Sequence, residues 1–121
     1  MSGILLFGGT GMVGSNLRAL AAERGVAIVA PARSDVDLLD RRAVAACIER
    51  VAPDVIVHAA GRVGGIAANM RAPVAFLDDN WEMGRNVVLS ARDAGVPRLI
   101  NLGSSCMYPK DVSRPLVEGD I

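Results

Sequence analysis

The sequence contains few aromatic residues, one histidine and two cysteines, and its charges balance. Aromatics make up only 3% of the 121 residues, which leaves no set of side chains for stacking nucleic-acid bases. The 13 basic and 13 acidic residues cancel, so no surface of one charge is expected to attract nucleic acid or membrane. Two cysteines are too few for a disulfide scaffold and suit a reducing compartment.

Long apolar runs are also absent. A membrane helix needs about 20 consecutive apolar residues. The first apolar run, residues 4–7, has no basic leader and ends in glycines, so it is not a signal peptide. No linker or internal repeat is visible, and no metal-binding set of residues is predicted. We therefore expect a soluble, cytoplasmic protein with one domain over residues 1–121, without a nucleic-acid or membrane partner.

Short apolar runs alternate with helical patterns along the chain. The runs predict strands at 4–7, 26–30, 55–57 and 99–102, and helices at 12–24, after an N-cap at Asp40, and after Pro73. Strands that are apolar throughout and separated by helices indicate a parallel sheet covered on both faces. The fold class is thus α/β, a Rossmann-type doubly wound sheet. Such a sheet has about six strands, so this dinucleotide-binding domain is incomplete, with one half and the start of the second.

A glycine-rich string follows the first predicted strand and opens the first helix. It satisfies G-x-G-x-x-G and consists of Gly8, Gly9, Thr10, Gly11, Met12, Val13 and Gly14. Glycines there permit a tight turn and a close approach of backbone to a pyrophosphate, and free N–H groups at the helix start bind the anion. The string predicts a dinucleotide site; the alternative is a plain strand–helix turn.

The segment after the second predicted strand indicates which cofactor binds. A carboxylate there would bind a ribose 2′-hydroxyl and favour NAD, but residues 30–34 contain none. Arg33 can instead pair with a 2′-phosphate, supported by the Ser34 hydroxyl, which predicts NADP(H). The alternative for Arg33 is a solvated surface arginine. Asp37 either accepts from an adenine amino group or is an ordinary loop acid.

Three strings together resemble the extended short-chain dehydrogenase/reductase family, the sugar-nucleotide epimerase/dehydratase group. The first is the glycine string. The second, 58–66 followed by Ala68 and Asn69, and the third, 102–110, resemble loops of the GDP-L-fucose synthases within that group. The resemblance runs along nearly the whole chain. Its most specific part is in the third string, where two serines and a cysteine are followed by Tyr-Pro-Lys.

The resemblance implies a two-stage reaction on a nucleotide sugar, GDP-4-keto-6-deoxy-D-mannose: epimerisation at C3 and C5, then reduction of the C4 ketone by NADPH. Ser104 matches the serine that binds the C4 carbonyl, and Cys106 matches the base of the epimerisation. The implied cofactor contacts, beyond the glycine string, are Arg33, Asp37, Leu38, Ala59, Ala60, Gly61, Leu102, Gly103, Ser104 and Ser105. The family often has Asn at position 37, and a homodimer is implied for the full-length enzyme.

Several residues have competing interpretations. Cys106 is either the base or a small buried hydrophobe, whereas Cys47 lies on an apolar helical stripe and is predicted to be core. His58, at a strand end, is either a proton-transfer group or a packed, hydrogen-bonded residue. Asn80 either holds the backbone of a neighbouring loop or is a surface amide. The helical stripe through Trp81 is predicted to pack in the core, with a dimer contact as the alternative.

The sequence contains no Tyr-x-x-x-Lys pair, which the family uses for reduction. We therefore weigh three interpretations: the N-terminal part of a GDP-L-fucose synthase; part of another extended reductase, such as a 4-epimerase or 4,6-dehydratase; and a non-enzymatic NADP(H)-binding module. The first is favoured by the third string. The 121-residue chain by itself is expected to be inactive, because a positioned acid contributes about 10²–10⁴-fold to a rate.

Overall fold

The computed structural model describes residues 3–121, along which strands and helices alternate. The elements are β1 Ile4–Phe7, α1 Met12–Glu23, β2 Ile28–Val29, α2 Arg41–Val51, β3 Val55–His58, α3 Ile66–Arg71, α4 Pro73–Asp93 and β4 Arg98–Asn101, followed by 3-10 turns at Ser105–Met107 and Glu118–Asp120. The predicted α/β class is confirmed. No helix in residues 3–121 combines the length and apolar character needed to cross a membrane.

The four strands form one parallel sheet in the order β2-β1-β3-β4. The chain goes from β1 to β2 and then crosses back, so that β3 pairs with the other side of β1. Among the described strands, only β2 therefore lies on that side of β1. In open α/β sheets ligands bind beyond the carboxyl ends of strands at this kind of reversal.

The main core lies on the sheet face covered by α2 and α4. Leu5, Phe7 and Ile56 point to this face, while Leu6 and Val57 alternate with them and are buried on the other face. The helices contribute Val44, Cys47, Ile48, Val87 and Ala91 to the same cluster. Cys47 is 1% exposed, so its prediction as a core residue is confirmed.

Helix boundaries follow the local chemistry that the sequence indicated. Asp40 caps α2, its carboxylate accepting from the backbone N–H groups of Arg42 and Ala43 at 2.8 and 3.4 Å. Pro73 occupies the first position of α4, as predicted. Gly25 and Gly95 follow α1 and α4 in left-handed conformation, which confirms both predicted stops.

Some element boundaries differ from the prediction. The second strand covers residues 28–29 rather than 26–30, and the fourth covers 98–101 rather than 99–102. Helix α3 was not predicted, because its six residues are too few to show an apolar periodicity. The tail from residue 108, predicted as loop, contains one short 3-10 turn.

The apolar stripe of α4 is not a core face along its whole length. Val74, Leu77 and Trp81 are 76%, 70% and 69% exposed, and the buried face of the helix consists of Asn86, Val87, Ser90 and Ala91 near its C-terminal end. The prediction that Trp81 packs in the core was therefore wrong. The two polar residues inside α4 make the buried face harder to recognise from an apolar pattern.

Candidate functional site

Four loops leave the sheet at the same edge, because all strands are parallel and in matched register. Phe7, His58 and Asn101 are paired neighbours at the ends of β1, β3 and β4. The segments that follow the four strands contain the glycine string, Arg33, residues 59–61 and residues 102–106. The predicted site residues thus lie in loops at the carboxyl edge, on both sides of the reversal between β1 and β3.

The glycine string forms a close-packed turn between β1 and α1. Gly8 has φ +88°, and a Cβ there would lie 2.5 Å from the backbone nitrogen of Ala60. A Cβ on Gly14 would overlap the carbonyl oxygen of Gly8. The turn is closed by a hydrogen bond from the N–H of Gly11 to the same oxygen at 3.0 Å. Side chains are therefore excluded at Gly8 and Gly14, and the turn packs directly on the loop after β3.

The N-terminus of α1 is open to an anion. Its N-cap is Gly11, which supplies no side-chain cap, and no acidic residue lies in its first turn. The first N–H groups of a helix have no partner within the helix and carry the positive end of its dipole. Backbone donors at the start of α1, next to a glycine-rich turn, suit the pyrophosphate of a dinucleotide.

The loop after β2 is organised by a carboxylate that the sequence analysis did not single out. Asp35 accepts from the N–H of Ala32 at 3.1 Å and from the hydroxyl of Ser34 at 3.3 Å. Both oxygens are engaged within its own turn, and the Ser34 hydroxyl, expected to support a 2′-phosphate, instead donates to Asp35. The Arg33 side chain is exposed and makes no ion pair with any residue in 3–121.

The next predicted contacts, Asp37 and Leu38, differ in orientation. The Asp37 carboxylate accepts from the N–H of Leu39 at 3.0 Å and stays on the surface. Leu38 is buried in the main core with Val36, and its carbonyl oxygen accepts from the amide of Asn86 at 3.0 Å. The side chain of Leu38 therefore faces the core, which the sequence pattern did not indicate.

Asn80 holds the loop after β3 from α4. Its Oδ1 accepts from the N–H of Arg62 at 2.8 Å, and its Nδ2 donates to the carbonyl of Arg62 at 2.9 Å and to that of Phe76 at 2.7 Å. The Arg62 guanidinium forms an ion pair with Asp79 at 2.6 Å and lies 4.9 Å from the centre of the Phe76 ring. The interpretation of Asn80 as a residue that holds a neighbouring backbone is confirmed.

His58 ends β3 as a packed residue rather than an accessible base. It is 6% exposed, and its Nδ1 has no hydrogen-bond partner in the described structure. Burial lowers the pKa of its imidazole from the ordinary 6.5 because the charged form loses its hydration. The neutral form is therefore favoured in the folded protein.

Ser104 and Cys106 stand on the exposed loop after β4. Ser104 caps the 3-10 turn Ser105–Met107, its hydroxyl oxygen accepting from the N–H of Cys106 at 3.2 Å. This leaves the hydroxyl proton of Ser104 available to a ligand. The Cys106 thiol is exposed, so its alternative as a buried hydrophobe was wrong.

The comparisons with known proteins agree with this arrangement. A model of the NAD dependent epimerase/dehydratase family matches residues 4–120. The chain belongs to this family. A family member named GDP-L-fucose synthase, from Azorhizobium caulinodans, is 53% identical over 118 residues, 98% of this chain and 38% of the relative. A GDP-L-colitose synthase of Yersinia pseudotuberculosis is 44% identical over 95% of this chain and 37% of the relative.

A solved structure of the epimerase/dehydratase family shares this fold. The GDP-L-fucose synthetase of Naegleria fowleri bound to NADP aligns with a TM-score of 0.83 and 28% identity, covering 98% of this chain and 36% of that chain. The present chain therefore spans less than two fifths of the length of these relatives. It corresponds to their N-terminal part.

Proposed function

We propose that this chain is the NADP(H)-binding part of a GDP-L-fucose synthase, which epimerises C3 and C5 of GDP-4-keto-6-deoxy-D-mannose and reduces its C4 ketone. The observation that carries the proposal is the loop after β4, where an exposed thiol and a serine hydroxyl lie two residues apart at the carboxyl edge of the sheet. The 53% identity to a relative of that name supports the same substrate.

Ser104 and Cys106 are the proposed catalytic residues. The Ser104 hydroxyl donates to the C4 carbonyl oxygen and so acidifies the protons on C3 and C5. Cys106, as thiolate, removes such a proton, and a residue outside 1–121 returns one to the opposite face. Bound NADPH supplies the hydride for the reduction of C4. The chain contains no Tyr-x-x-x-Lys pair, so residues 1–121 alone are expected to give no product.

The cofactor is proposed to lie across the reversal between β1 and β3. Residues Gly8–Gly14 and the start of α1 would hold the pyrophosphate, since the lack of side chains at Gly8 and Gly14 permits the tight turn that packs on the loop after β3. Arg33 would pair with the 2′-phosphate, and Asp37 and Leu38 would border the adenine. The remaining proposed contacts are Ala59, Ala60, Gly61, Leu102, Gly103, Ser104 and Ser105.

A second candidate differs only in the sugar. The relative named GDP-L-colitose synthase is 44% identical over nearly the same residues, so another GDP-linked 4-keto sugar is the alternative substrate. For either substrate the proposed catalytic residues of this chain are those of the loop after β4. Measuring kcat/KM of the full-length protein for each of the two sugars distinguishes the two candidates. The residues that contact the two sugars differently would lie in the remainder of the full-length protein.

The test uses the full-length protein with three substitutions. We expect Cys106→Ser to lower solvent deuterium incorporation at C3 and C5 by about 10²–10⁴-fold. The same variant should still reduce a sugar that is already epimerised. Ser104→Ala should slow both stages. Ser113→Ala, an exposed serine of the tail, is the matched control. Unchanged deuterium incorporation in Cys106→Ser would remove the thiol from the mechanism.

A homodimer and a cytoplasmic location complete the proposal. The exposed apolar face formed by Val74, Leu77 and Trp81 of α4, with Ile66 and Met70 of α3, is the kind of surface that proteins cover with a partner. An exposed thiol that must act as a base requires a reducing compartment, which the cytoplasm provides.

A further inference from the structure

The junction between the glycine turn and the end of β2 contains a second arginine. Arg18 lies on α1 one helical turn after Gly14, and its Nη1 donates to the carbonyl oxygen of Gly9 at 3.5 Å. From the point where a Cβ of Gly9 would stand, the Cδ of Arg18 is 3.3 Å away and the Cβ of Ala30 is 2.8 Å away. The side chains of Arg18 and Ala30 thus both lie close to Gly9 at this junction.

The guanidinium of Arg18 is free to take a ligand. The bond to Gly9 is long and uses one of five N–H donors. Arg18 is exposed and has no carboxylate partner among residues 3–121. Asp35, in the loop after β2, has each of its carboxylate oxygens accepting a hydrogen bond within its own turn. The junction therefore presents positive charge that the structure itself does not neutralise.

We propose that Arg18 is a specificity-determining residue that binds the 2′-phosphate of NADP(H) together with Arg33. This inference rests on the proposed function, because it takes the glycine turn as the pyrophosphate site. The adenosine ribose must then extend from Gly9 toward the end of β2, since the acceptor or donor for its 2′ position follows that strand. Arg33 follows Ala30 by three residues in the loop, and the Arg18 side chain reaches Gly9 from the helix, so both arginines lie near the end of β2.

Two cations on one phosphate suit its charge better than one. A phosphate monoester carries about 1.5 to 2 negative charges near neutral pH. The planar fork of Arg matches phosphate oxygens geometrically, which a solvated lysine does not. The Cδ of Arg18 lies near Gly9, so part of the side chain is already placed at the junction before a ligand binds.

The experiment measures binding of two small ligands to the full-length protein by calorimetry. The ligand 2′,5′-ADP carries the 2′-phosphate and 5′-AMP lacks it. We expect Arg18→Met, which keeps the apolar stem on Gly9, to weaken 2′,5′-ADP binding roughly tenfold and to leave 5′-AMP binding unchanged within about twofold. Arg18→Lys should fall between Arg18→Met and the original protein, and it serves as the second variant if Arg18→Met does not fold. Arg24→Met, an exposed arginine at the other end of α1, should change neither affinity.

The possible results separate this inference from the proposed function. Equal loss of both ligands in Arg18→Met, or no loss of either, would overturn the role of Arg18. If Arg33→Met abolishes the preference for 2′,5′-ADP while Arg18→Met keeps it, only the present inference fails. If the original protein binds both ligands equally, the NADP assignment fails and the role of Arg18 fails with it.

Discussion

At the residue scale, the two cysteines illustrate how position in the fold decides chemistry. Cys47 is enclosed by the core, and this burial raises the pKa of its thiol, an effect that the nearby Arg50 guanidinium partly opposes. Cys106 is exposed on the loop after β4. Cysteine is thus an unreactive core residue in α2, whereas at the carboxyl edge of the sheet it is an accessible nucleophile or base.

This difference predicts the outcome of thiol labelling. In the native chain, Cys106 should react rapidly with a thiol reagent at neutral pH, whereas Cys47 should react only after unfolding. Cys106→Ser should abolish the fast reaction, because only exposed thiolates are attacked. Mass spectrometry of the labelled peptides checks the assignment. Rapid labelling of Cys47 in the native protein would contradict the burial of this side chain on α2.

His58 predicts how stability depends on pH. The pKa of the buried imidazole is lowered, so the unfolded chain binds a proton more readily than the folded one. The contribution of a neutral His58 is therefore fully present above its ordinary pKa of 6.5 and is lost as the pH falls through that value toward the folded pKa. His58 is the only histidine of the chain.

Urea unfolding between pH 5 and pH 8 measures this effect. The free energy of unfolding should decrease below about pH 6.5, and His58→Gln should flatten the decrease over the same interval. Asp93 and Asp120, whose carboxyl pKa values are lowered by Arg92 and Arg114, titrate at lower pH and do not confuse the comparison. A decrease of the same size in His58→Gln would assign the pH dependence to another group.

At the scale of elements, the loop after β3 depends on α4. Asn80 brackets the backbone of Arg62 as both donor and acceptor, and Asn69 of α3 donates to the carbonyls of Gly64 and Gly65 at 2.9 and 3.1 Å. The loop bordering the glycine turn is therefore held from two helices rather than by its own hydrogen bonds. Its position would change if either helix moved.

Removing the Asn80 side chain should make the loop after β3 more mobile. We expect Asn80→Ala, which removes three exposed hydrogen bonds, to lower the free energy of unfolding by about 1–2 kcal/mol, because exposed partners recover hydrogen bonds to water. Amide hydrogen exchange in residues 61–65 should increase more than exchange in the core strands. Asp78→Ala is the control, since Asp78 is an exposed residue of α4 that makes no side-chain hydrogen bond in the described structure. Equal exchange in the two variants would mean that the loop does not depend on Asn80.

The sequence predicted best the elements whose signal is local. The glycine turn, the cap at Asp40 and the stops at Gly25 and Gly95 depend on residues adjacent in the chain, and each was predicted correctly. The surface position of Trp81 was predicted wrongly and the core position of Leu38 was not predicted, because both depend on what lies across the fold. Arg18 was missed for a related reason: only the spacing of four residues from Gly14 hinted that it faces the glycine turn.

At the scale of the whole chain, an apolar region of α3 and α4 is exposed. Helix α4 packs on the sheet only through its C-terminal half, and its N-terminal half and α3 expose the apolar face described above. Burying a side chain of the size of Leu or Trp contributes roughly 2–3 kcal/mol. The interface proposed for the homodimer therefore has enough apolar surface near Trp81 to contain an energetic centre of the contact.

This surface predicts the effect of a charge on assembly. In the full-length protein we expect Trp81→Glu to weaken the dimer by about 100-fold, because a carboxylate would have to be buried without a partner. Sedimentation over a range of protein concentrations measures the dissociation constant. Leu20→Glu places the same charge on an exposed apolar position of α1, outside the face, and should leave the dimer unchanged. If Trp81→Glu assembles as tightly as Leu20→Glu, the face formed by α3 and α4 is covered by something other than a second copy of the protein.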